Sequence, residues 1–80
     1  MSYRVSIHHA TLSGVVHGNQ RFRLSAEKIK ALQDAAITAW ENRKNNETSV
    51  RFLLRCTDNF FSFMTVFANP KDENMLIVRH

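Results

Sequence analysis

From Ala26 to Trp40 the apolar residues Ala26, Ile29, Leu32, Ala36, Ile37 and Trp40 recur at three- and four-residue intervals, while the segments on either side alternate with a period of two. The first spacing places one apolar stripe along an α-helix and leaves Glu27, Lys30, Asp34, Thr38 and Glu41 on the opposite side. Ser25 can accept from the free N–H groups of the first turn, and Glu27 sits near the positive end of the helix dipole. Arg43 and Lys44 suit the other end and Asn45-Asn46 supplies a stop, so the spacing predicts a helix over 26–44. A single amphipathic helix has nothing of its own to pack on. Its partner must come from the alternating segments.

Those segments predict strands. Residues 3–9 alternate, with Tyr3, Val5, Ile7 and His9 facing one way and Arg4, Ser6 and His8 the other. Leu12, Val15 and Val16 continue an extended run in which Gly14 marks a bulge or break. Gly18-Asn19 is a two-residue hairpin signal, because both residues tolerate positive φ, and the return strand 20–24 turns Phe22 and Leu24 inward. Beyond the helix, 49–56 sets Val50, Phe52, Leu54 and Cys56 against Arg51, Leu53 and Arg55. Strand 60–67 follows after turn chemistry at Thr57-Asp58-Asn59, and strand 75–79 after 69–74. The order is ββαβββ. It describes an α+β fold in which one helix lies across one face of an antiparallel sheet of about five strands, the last three forming a meander.

Eighty residues leave room for one domain, spanning 1–80. With 44% hydrophobic and 22% charged residues the composition is that of a folded chain. Total stability of about 4–12 kcal/mol is expected at this length. One cysteine, Cys56, cannot form an internal disulfide. The first residues alternate instead of forming the apolar core of a signal peptide, and no apolar run approaches the ~20 residues of a membrane span. A cytoplasmic location follows from these features, with no membrane partner.

The net charge is +4, and residues 1–25 contain Arg4, Arg21 and Arg23 without any acid. With Arg51 and Arg55, these arginines fall on the outward parity of their strands. If the strands are neighbours, five guanidinium groups make an anion-binding face, since each presents a planar, always charged fork suited to phosphate or carboxylate. Strand 60–67 is apolar on both parities. Leu53, Phe60, Met64 and Val66 then form an apolar patch larger than one helix can cover, which marks an interface with a protein partner or a second copy.

Metal and catalytic chemistry find little support. His8 and His9 are adjacent and would point to opposite faces of a strand, His17 lies at a hairpin and His80 at the end of the sequence, so no ligand spacing arises. Cys56 takes the inward parity, where a thiol behaves as a small apolar group. No phosphate loop, paired carboxylates or nucleophile elbow is present, so neither an enzyme nor a cofactor is expected. In size, charge and lack of catalytic motifs the chain is similar to phage and mobile-element accessory proteins of the inhibitor and regulator type. The expected function is a non-enzymatic interaction module that occludes a partner surface or forms a dimer. The alternative is a small basic nucleic-acid binder that places its arginines on phosphates.

Overall fold

In the computed structural model, which describes residues 3–12, 14–17 and 20–80, the side chain of Ser25 accepts from the N–H of Lys28 at 3.2 Å and starts the main helix. The elements in chain order are β1 (Arg4–Ile7), α1 (His9–Leu12), β2 (Val15–His17), β3 (Gln20–Phe22), α2 (Ala26–Glu41), β4 (Ser49–Thr57), β5 (Phe60–Asn69) and β6 (Asp72–Arg79). α2 ends three residues earlier than its charge pattern suggests. Asn42 and Arg43 close it by donating their backbone N–H groups to the carbonyls of Thr38 and Trp40. The Arg43 guanidinium also donates to the Trp40 carbonyl at 2.9 Å and lies 3.9 Å from the centroid of the Trp40 ring. The cation thus adds a second donor to a carbonyl at the negative end of the helix.

β4, β5 and β6 form the expected antiparallel meander, and β1 joins its far edge to give the order β1-β6-β5-β4. β1 runs parallel to β6, with Val5 beside Leu76 and Ile7 beside Val78. The sheet is therefore mixed, and the expectation of a purely antiparallel sheet is corrected. Alternation marks a strand's two faces but not its direction. Among the described residues, β2 and β3 pair only with each other, so the expected single sheet of about five strands is a four-stranded sheet plus a two-stranded one. The Gly18-Asn19 turn lies outside the described residues.

The extended reading of residues 8–12 also gives way. His8 donates its N–H to the Val78 carbonyl, ending the strand ladder. Its own carbonyl then accepts from Thr11 and Leu12, so the chain turns into α1. Thr11 is buried and its hydroxyl accepts from the N–H of His80 at 3.0 Å, which ties this turn to the end of β6. Leu12 and His9, placed on strands by the alternation, are exposed.

The core lies between α2 and one face of the large sheet. Leu32, Ala36 and Trp40 from the helix meet Leu54, Met64, Val66, Leu76 and Val78 from the strands. Fully burying each of the larger aliphatic side chains contributes about 1.5–3 kcal/mol. The rings of Phe22 and Phe60, with centroids 4.8 Å apart, connect the small hairpin to this core. Among the described residues, no helix is long and apolar enough to cross a membrane.

Candidate interaction face

α2 covers one side of the four-stranded sheet and leaves the other open. Alternation along β4 sends Val50, Phe52, Leu54 and Cys56 toward the helix and Arg51, Leu53 and Arg55 away from it, as their spacing predicts. The register sets Leu53 opposite Phe63 and Arg55 opposite Phe61, so both phenylalanines share the outward side. Leu53, Phe61 and Phe63 are 53%, 52% and 54% exposed. Large apolar side chains that exposed lie together on neighbouring strands instead of being scattered singly.

The outward face is banded. Beyond the Leu53–Phe63 pair, Arg51 lies opposite Thr65, and Thr65 lies opposite Arg79. The next row is half-buried and apolar, with Phe67 opposite Ile77. The Arg51 guanidinium carbon sits 4.4 Å from the Phe63 ring centroid and that of Arg55 6.0 Å from Phe61. Each cation faces the negative side of its ring quadrupole while its stem covers apolar surface. Arg55 also donates to Asp58 in the β4–β5 turn at 2.9 Å, a pair so exposed that solvent screens most of its attraction. No outward position of β4 or β5 carries a carboxylate.

The five arginines read from the sequence are not brought together. Arg51 and Arg55 stand on the open face. Arg4 is at the far edge strand and pairs with Asp72. Arg21 belongs to the small hairpin, and Arg23 is exposed in the stretch leading to α2. Of the apolar candidates, Leu53 is on the open face and Phe60 is half-buried against Phe22. Met64 and Val66, expected on the exposed patch, are 0% exposed and belong to the core. The face of β5 is thus the reverse of the one expected. Its residues are bulky on both parities, so hydrophobicity alone does not choose. The choice comes from the register with β4, which seats Ser62, a small buried residue, opposite Leu54 under the helix.

Phe61, Phe63 and Arg79 are the residues that sequence reasoning missed. Pairing β5 with β4 across the short 57–59 turn, so that Arg55 meets Phe61, would have found the first two. His8 and His9 do not point apart: the strand ends at Ile7, and their rings stack with centroids 4.8 Å apart. Among the described residues, no group of three or more His, Cys, Asp or Glu side chains could hold a metal ion. Cys56 is half-buried on the inner face. Burial pushes its thiol above the ordinary value, against a smaller opposing pull from the Lys28 ammonium. Compared with family models, curated proteins and solved structures, the chain matches none.

Proposed function

We propose that the chain is a non-enzymatic interaction module of the cytoplasm whose working surface is the open face of the sheet. It acts by occlusion, covering an acidic, apolar-centred surface of a protein partner as an inhibitor or regulator does. The observation that carries this reading is the exposure of Leu53, Phe61 and Phe63 on one face, flanked by Arg51, Arg55 and Arg79. Aromatic and arginine side chains around an apolar centre are the composition that concentrates binding energy. A second copy is a poorer occupant. It would bring like guanidinium groups to a face whose outward β4 and β5 positions hold no acid, whereas an acidic partner neutralises them.

Phe61 and Phe63 also favour a second reading. Two outward rings two residues apart on one strand are spaced by about 7 Å, and bases of a single strand can stack on such rings while arginines meet the phosphates.

A photo-crosslinking residue placed at position 63, with a control at exposed position 41 on α2, tests both readings in the cells that make the protein. The first reading expects a protein captured at 63 and not at 41, lost when Phe61 is changed to Ser. It fails if both positions capture the same species or if neither captures any. Capture of nuclease-sensitive material at 63 would establish the second reading in its place. The affinity of that complex for the chain should then fall steeply between about 50 and 200 mM salt.

A further inference from the structure

A cavity of about 470 Å³, which shares Arg79 with the edge of the open face, opens where the end of β6 meets α1 and the small hairpin, lined by His8, Thr11, Arg21, Arg79 and His80 together with Ala10 and Gly14. Among the described residues, its side chains offer two guanidinium groups, two imidazoles and a hydroxyl, and none is a carboxylate. Among the described residues, the Arg79 guanidinium makes no ion pair. We propose that this cavity binds a phosphomonoester group.

The donors are set for an anion. The Thr11 hydroxyl oxygen is occupied as an acceptor by the N–H of His80, which leaves its proton to donate. The Nδ1 of His8 accepts from the N–H of Ala10 at 3.3 Å, so the ring proton resides on Nε2, and this nitrogen too is a donor. Gly14 admits the stem of Arg21, since a Cβ there would stand 2.5 Å from the Arg21 Cγ. That close approach lays the Arg21 stem against Gly14 in the cavity lining. Two planar forks with a hydroxyl and an imidazole match the several oxygens of a phosphate dianion better than they match a single carboxylate. The volume exceeds that of a bare phosphate and falls in the range of small-molecule pockets, roughly 300–1,000 Å³, so the organic part of a phosphorylated small molecule has room beside the phosphate.

The test is an amide chemical-shift titration at fixed ionic strength with three probes: inorganic phosphate, a nucleoside 5′-monophosphate and the same nucleoside without phosphate. Saturable shifts at Thr11, Gly14 and Arg79 are expected with the first two and none with the third. Tighter binding of the monophosphate than of inorganic phosphate shows that the cavity also holds the organic part, and equal binding shows that the phosphate alone is recognised. Arg79→Ala weakens binding by about tenfold or more, and Arg79→Lys, which keeps the charge and loses the fork, falls between. Lys30→Ala, on the exposed side of α2, leaves it unchanged. The proposal is overturned if phosphate fails to saturate at concentrations on the order of 10 mM. It is equally overturned if Lys30→Ala weakens binding as much as Arg79→Ala, which would mean diffuse attraction, or if the bare nucleoside binds as well as its monophosphate. None of these results depends on the open face having a partner.

Discussion

The guanidinium carbon of Arg51 lies 4.4 Å from the ring centroid of Phe63 on the neighbouring strand, so the most exposed of the phenylalanine rings is partly roofed by a cation from β4. This contact reconciles an exposed apolar patch with water. The ring keeps a polar neighbour while it faces solvent. An exposed contact of this kind is worth about 0.5–1 kcal/mol. A double-mutant cycle of Arg51→Ala and Phe63→Ala, read by urea unfolding, should return a coupling of that size. A coupling indistinguishable from zero would mean that the two side chains do not hold each other in solution.

Adjacent residues on β5 should respond in opposite ways to truncation. Met64 is wholly buried against α2, whereas Phe63 is more than half exposed on the other face. Met64→Ala should lower unfolding stability by about 2–5 kcal/mol, a large share of what a chain of this length has. Phe63→Ala should cost little beyond its contact with Arg51, because most of its ring is already in water. Comparable losses at both positions would show that the ladder between β4 and β5 is shifted by one residue.

How much of this was legible follows from where the sequence is redundant. α2 announced itself through the Ile29–Trp40 stripe and the Ser25 cap, two independent signals that agree. β4 was equally plain, because arginines alternate with Val50, Phe52 and Leu54 and only one face can be dry. β5 was not, since Phe61 and Phe63 are as apolar as Met64 and Val66, and only a neighbouring strand breaks the tie. The pairing of β1 with β6 joins the two ends of the sequence, and no local pattern encodes a parallel edge. α1 is a single turn held by hydrogen bonds to the His8 carbonyl and from the His80 N–H, too short to carry a periodicity. The arginine cluster dispersed for the same reason: outward parity is a property of a strand, but a shared face is a property of the sheet.

Cys56 should be a slow thiol. Because burial raises its pKa in the folded chain, the unfolded chain loses this proton first as pH rises. The resulting contribution to stability is complete below the unfolded value of about 8.5 and disappears as pH climbs through the folded one. Unfolding midpoints of the natural chain and of Cys56→Ala, compared from pH 7 to pH 10, should differ by a constant amount at first. Above about pH 8.5 the difference should shift against the natural chain. Iodoacetamide at pH 8 should also label the folded protein more slowly than the protein in urea. Faster labelling in the folded state would show an activated thiol and contradict the burial argument.

Gly14 adopts φ +141°, a backbone conformation that side chains of L-residues rarely enter, and the space its Cβ would need is taken by the stem of Arg21. Both effects act against any substitution, and neither can be relieved by a rotamer change at position 14 itself. Gly14→Ala should therefore destabilise the fold by about 1–3 kcal/mol, with strain and displacement of Arg21 adding together. The amide shifts that move should cluster around Arg21, Thr11 and His80, leaving Leu53, Phe61 and Phe63 as they were. Equal stability of the alanine variant, measured by urea unfolding, would show that the stretch between α1 and β2 takes another course in solution.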